Sequence, residues 1–292
     1  MTERAADGRY FLPAPSHWPV LGCVGLFTTF IGAAHWLHDV RIGPYLFVLG
    51  LGMVACMLVG WFRKVIHENQ SGRYGTWVGR SFRSGMAWMI FSEVLFFAGF
   101  FAALFFIRLW SVPELGGEIY SVTNLILWPD FQAQWPLLHN PDNNKYLGAR
   151  AVSDAWRIPA VNTLLLLSSG VTITWAHWGL MREKRRVLVA GLVLTVLLGT
   201  AFLVLKGNEY YNAYTKDGLT LNAGAYASTF FMLTGFHGVH VTVGTIMLLV
   251  ILGRSIAGHF TPAGHFGFQG VAWYWHFVDI VWLFLFIFVY WL

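Results

Sequence analysis

Charge is scarce in this chain of 292 residues: 11% of its residues are charged, against 57% hydrophobic and 17% aromatic. A soluble domain carries roughly a quarter charged residues, so that class is excluded and the chain reads as a polytopic membrane protein. Cysteine is nearly absent too. Cys23 and Cys56 each lie inside an apolar stretch with no CxxC and no neighbouring histidine, which excludes a disulfide framework and a cysteine zinc site. The formal net charge is +5, yet no basic patch or stripe of the kind nucleic acid requires is present; lysine and arginine fall in short runs between apolar stretches. The opening MTERAADGRYFLPAPSHWP lacks the apolar core and small-residue cleavage site of a removable secretion signal. No internal repeat and no second, soluble domain is visible.

What is there is long apolar runs. A helix needs about 20 apolar residues to cross the hydrocarbon core. That yardstick marks seven spans, at about 19–38, 43–62, 85–110, 158–181, 187–206, 223–253 and 269–292. Each is expected to be helical, because a lone strand would leave its backbone amides unpaired in lipid. The expectation is a single all-α membrane domain over 1–292. Twelve of the nineteen Lys and Arg residues fall on the side of the N-terminus, among them Arg4, Arg9, Arg63, Lys64, Arg182 and Arg254, while acids favour the other side. This places the N-terminus inside and the C-terminus outside. The third connection, about 111–157, is long and proline-bearing and belongs outside the membrane, as a surface cap or as a docking surface for a neighbouring chain.

Ionisable residues inside these spans are costly and mark function or partnership. Glu93, in SEVLFFAGFF, is the glutamate within the apolar windows; it must face protein, water or a headgroup, or be protonated. His237 and His240 in TGFHGVHVTVG share a helix face, and so do His276 and Asp279 in YWHFVD. Counting helical rise from the window ends puts Glu93, His276, Asp279 and His177 in the inner part of the membrane and the His237 pair nearer its middle, so these side chains are not expected to converge on a metal. Paired Glu-x-x-His motifs of di-iron bundles are also lacking. Interhelical hydrogen bonding suits the histidines, and a role in proton movement or plain structural pairing suits His276 with Asp279. Trp61, Arg63 and Glu68 in WFRKVIHE, together with Arg254 and His259, form a cationic, Trp-bearing inner rim that suits a phospholipid phosphate, or that reports orientation alone.

The strings SEVLFFAGFF, ITWAHWGLM, NEYYNA, STFFMLTGFHGVHV and GFQGVAWYWHFVDIVWLFLF resemble subunit III of the haem-copper cytochrome c oxidases, in its long form with seven spans. The likeness covers most of the chain apart from the N-terminal arm and the third connection. It implies a two-helix and a five-helix bundle separated by a cleft that holds structural phospholipids. It also implies a complex of the aa3 type that oxidises cytochrome c, reduces oxygen and translocates protons. Haem and copper would then sit on partner subunits I and II, with no cofactor and no metal on this chain. The chain would stabilise subunit I and support proton uptake in an energy-transducing inner membrane, here a bacterial plasma membrane. By position, Glu93 matches the family's intramembrane glutamate, and Glu68, Arg254 and His259 match positions associated with lipid headgroups. Trp61 and Arg63 match the start of a Trp-Trp-Arg string in which Phe62 replaces the second Trp; His67 replaces a common Arg, and Gln269 stands where Glu is frequent. Third subunits of quinol oxidases and nitric oxide reductases are similar but typically have fewer helices. A proton-coupled transporter working through Glu93, His240 and Asp279 would show inverted repeats or broken helices, and a metalloenzyme would need its own His-rich centre.

Overall fold

The computed structural model describes residues 11–292, and among these the regular structure is entirely helical. The charges Glu3, Arg4, Asp7 and Arg9, counted above toward orientation, lie outside the described residues. The helices in chain order are α1 (Trp18–Leu37), α2 (Gly43–Gln70), α3 (Thr76–Phe106), the short α4 (Val112–Leu115) and α5 (Ser121–Leu127), α6 (Ile158–Met181), α7 (Arg185–Thr215), α8 (Ala225–Ile256) and α9 (Phe266–Leu285). A π-helical turn, Ile107–Ser111, joins α3 to α4, and another, Phe286–Trp291, extends α9. Seven of these helices are long and apolar enough to cross a membrane. Proline stands in the first turn of α1, α2 and α6, where a missing N–H costs nothing.

Several helices run beyond the apolar windows that announced them. α2 continues to Gln70, α3 begins at Thr76, and α7 continues to Thr215. Hydropathy marks where a helix leaves lipid, whereas backbone hydrogen bonding stops at a breaker. The glycines with positive φ that follow α2 and α7 are Gly72 (φ 70°) and Gly218 (φ 63°).

The chain divides into two compact units, one up to Ser84 and one from Gly85. The first is built on the α1/α2 hairpin, and its inward-facing residues are largely glycine: Gly22, Gly25 and Gly32 on α1, Gly43 and Gly50 on α2. A Cβ on Gly32 would lie 2.7 Å from the Leu46 carbonyl carbon and press on the Phe47 amide; one on Gly50 would lie 2.8 Å from the Gly25 carbonyl oxygen. Lipid is as apolar as leucine, so helices in it associate through close van der Waals contact, and bare glycine faces give that contact.

The second unit packs around α9. Trp275 and Trp282, one face of α9 two turns apart, are fully buried, and their indole N–H groups donate to Ser169 Oγ (2.8 Å) and Thr163 Oγ1 (2.9 Å) on α6. Gly199 on α7 and Gly244 on α8 make room for the Trp275 ring; a Cβ at either would stand 2.7 and 2.9 Å from it. α6 and α7 run antiparallel, registered by the Thr172–Thr195 hydroxyl contact (2.8 Å) and by Gly191 against Ala176. The long third connection is itself folded. The Asn124 amide donates to the carbonyls of Leu115, Trp128 and Phe131, Asn140 donates to the Ala223 carbonyl (3.2 Å), and the Arg150 N–H to the Asp217 carbonyl (2.8 Å).

Candidate functional site

Glu93 of α3 meets His240 of α8: Glu93 Oε2 and His240 Nε2 are 3.0 Å apart. This differs from the depths expected above, and the reason is where the counting began. Glu93 lies 17 residues from the start of α3 at Thr76 and His240 lies 16 from the end of α8 at Ile256, so both stand about 25 Å along their helices from the arginine-rich end. The apolar window of α3 opened nine residues late and displaced the glutamate.

The other ring nitrogen of His240 settles the proton accounting. Nδ1 is 2.7 Å from the Phe236 carbonyl, which can only accept, so Nδ1 carries a hydrogen. The contact at Nε2 therefore needs one more proton, held either by the imidazole as it donates to a carboxylate or by the carboxyl group as it donates to the imidazole. Either way the couple is neutral overall and stores one transferable proton between two atoms. The rings of Phe96, Phe97 and Tyr274 surround the imidazole at centroid distances of 6.2, 5.1 and 6.3 Å. The side chains of Glu93 and His240 keep 29% and 15% exposure, so the couple opens to the surface of the chain.

A second couple is looser. His276 Nδ1 stands 3.7 Å from Asp279 Oδ2 on the next turn of α9. Thr174 donates its hydroxyl hydrogen to the Gly170 carbonyl (2.8 Å), so at 3.3 Å from Thr174 Oγ1 it is His276 Nε2 that donates. Gly170 provides the space for the carboxylate, since a Cβ there would lie 2.6 Å from Asp279 Oδ2. His276 is partly exposed and Asp279 buried. His237 joins neither couple. It is fully buried, donates from Nε2 to the Val278 carbonyl (3.2 Å) and packs on Phe202 and Trp282, an interhelical tie.

One buried ion pair was hidden from sequence reasoning. Lys206 Nζ donates to Glu209 Oε2 (3.0 Å) and to the Tyr290 hydroxyl, and the ammonium is ringed by Tyr210, Phe230, Trp282 and Tyr290. The apolar window ended at Lys206 and left Glu209 beyond it; both belong to α7, and Glu93 is therefore not alone among glutamates in membrane-length helices. The available signal was the absence of proline between Lys206 and Gly218, with Lys and Glu three residues apart.

The cationic rim divides by unit. In the first unit Trp61 and Arg63 are exposed on α2, whereas Glu68 is buried and accepts the Tyr74 hydroxyl at 2.8 Å, closing the turn after α2. Burial pushes the Tyr74 hydroxyl well above the usual tyrosine range, and the Glu68 carboxylate adds to that. In the second unit the Arg254 guanidinium covers the Phe260 ring at 4.4 Å and His259 is exposed beside it. Among the described residues no three His, Cys, Asp or Glu side chains gather as a metal site.

The chain matches the family described as cytochrome c oxidase subunit III over residues 8–140 and 138–292. It is 42% identical over 283 residues to cytochrome c oxidase subunit 3 of Squalus acanthias, covering 97% of this chain and 96% of that protein. The same protein of Branchiostoma lanceolatum is 41% identical and that of Latimeria chalumnae 40% identical, over the same shares. With its seven membrane-length helices, the chain belongs to the cytochrome c oxidase subunit III family.

Proposed function

We propose that this chain is the third, non-redox subunit of an aa3-type cytochrome c oxidase in an energy-transducing membrane. In this reading haem and copper reside on subunits I and II, cytochrome c is the substrate of the whole complex, and this chain stabilises subunit I and sustains proton uptake. Its N-terminal side and arginine-rich helix ends face inward, where Trp61, Arg63, Arg254 and His259 hold phospholipid headgroups. Glu68, buried on Tyr74, contributes by fixing the turn that follows α2.

The observation that carries the proton role is the Glu93–His240 couple. It holds one proton in a 3.0 Å hydrogen bond, it is partly exposed, and aromatic rings shield it. A proton-bearing couple on the outside of a scaffold suits a device that serves chemistry in a neighbouring chain. His276 and Asp279 are a second, weaker store on α9.

The test is Glu93→Gln in the assembled oxidase. Gln preserves shape but cannot exchange a proton with His240. The expected outcome is unchanged haem and copper content, near-normal initial oxygen consumption and fewer turnovers before inactivation. Loss of the metal centres, or an unaltered lifetime under sustained turnover, would overturn the reading. Arg63→Ala and Arg254→Ala are expected to lower co-purified phospholipid, measured by mass spectrometry of the extracted lipid.

A further inference from the structure

Among the described residues, Asn162 on α6 is a fully buried side chain whose two polar atoms, Nδ2 and Oδ1, both lack a partner. Its surroundings follow from the registry of three helices. Ser169 of α6, Gly199 of α7 and Trp275 of α9 form one layer, because the Trp275 indole donates to Ser169 Oγ at 2.8 Å and fills the space left by Gly199. Seven residues are about two helical turns. Two turns toward the long-connection end, that layer becomes Asn162, Lys206 and Trp282. Two independent contacts fit this registry: the Trp282 indole donates to Thr163, the residue after Asn162, and Lys206 Nζ lies 5.6 Å from the Trp282 ring.

The layer thus sets an orphaned carboxamide across from a buried ion pair. Glu209 Oε1 is also buried and without a partner, and of the three hydrogens on the Lys206 ammonium two have acceptors, Glu209 Oε2 and the Tyr290 hydroxyl. Donors and acceptors are both present, but they do not touch one another. A water molecule, which donates two hydrogens and accepts two, matches that mixture. A metal cation does not, because the Lys206 ammonium already neutralises Glu209.

We propose that the Trp282 layer is an internal hydration site, in which at least one ordered water bridges the Asn162 carboxamide to the Lys206–Glu209 pair. The water donates to Glu209 Oε1 and meets Asn162 in one of two ways: it accepts from Nδ2, or it donates to Oδ1 while accepting from Lys206 Nζ. It makes α6, α7 and α9 a single hydrogen-bonded group at this end of the bundle.

The first test is a density map of the intact wild-type oxidase at a resolution that shows other buried waters. A peak within hydrogen-bond reach of both Asn162 and Glu209 is expected; its absence, or a direct Asn162–Glu209 contact, overturns the proposal. The second test compares thermal midpoints of the oxidase carrying Asn162→Ala and Asn162→Leu. With water present, Ala leaves it in place and Leu displaces it, so Leu lowers the midpoint more. In a dry layer Leu fills space that Ala leaves empty, the order reverses, and the proposal fails. The map requires no variant, so a substitution that blocks assembly leaves the first test intact.

Discussion

The α1/α2 hairpin and the bundle around α9 solve the same problem by opposite means. In the hairpin, side chains are removed from the contact: Gly25, Gly32 and Gly50 let backbone meet backbone, and the larger residues point away. In the bundle, the largest side chains are brought in, and their polar ends are answered one by one, Trp275 by Ser169 and Trp282 by Thr163. The first arrangement tolerates no added atom, whereas the second tolerates no lost partner. Both follow from a solvent that gives no hydrophobic drive between helices and no water to rescue an orphaned group.

The largest effect is expected in the bundle. Glu209→Leu strips the buried Lys206 ammonium of its counter-charge and should cost about 3–5 kcal/mol, whereas adding Lys206→Met in the same chain should restore most of it. Tryptophan fluorescence during thermal unfolding of the assembled oxidase measures both. Equal losses in the single and double variants would mean that packing, not charge pairing, governs this region.

Next comes the hairpin, where two glycines one helix apart in behaviour give opposite signs. Gly32→Ala should destabilise by about 1–3 kcal/mol because the new methyl meets backbone that cannot move aside. Gly52→Ala, with nothing within 4 Å of its Cβ position, should stabilise by up to about 1 kcal/mol through helix propensity. Retention of this subunit during detergent challenge, read on a denaturing gel, compares them. The smallest loss is expected for Ser169→Ala, which leaves the Trp275 indole N–H buried without an acceptor at a cost of about 1 kcal/mol, because the neighbouring packing is kept. Its check is a downward shift of the same thermal transition.

The helices that carry this contrast were legible in the sequence, but the contrast itself was not. The apolar windows located all seven membrane-length helices, and most of the family strings lay in them, NEYYNA at 208–213 falling outside. Helix ends were not legible, because the turns at Arg63 to Gln70 and Lys206 to Thr215 carry polar side chains on a backbone that remains hydrogen-bonded. That single effect hid both main polar contacts. It moved Glu93 away from His240 in depth, and it split the buried Lys206–Glu209 pair, leaving Lys206 at the end of a window and Glu209 beyond it. The glycine face of the hairpin was hidden for another reason: glycine contributes little to a hydropathy window, and its partners lie on a different helix. His276 and Asp279 were placed on one face by their spacing, but the space that admits the carboxylate comes from Gly170 on α6.

The Glu93–His240 hydrogen bond also has an electrical consequence. Moving a unit charge through the whole hydrocarbon core, about 30 Å, is worth about 2.3 kcal/mol per 100 mV of membrane potential. A proton passing between these two atoms travels less than their 3.0 Å separation, at most about a tenth of that path. The field then alters the balance between the two sites by no more than about 0.2 kcal/mol per 100 mV. Whichever atom holds the proton is chosen by its immediate neighbours, and the choice stays nearly the same in a polarised membrane and in a discharged one.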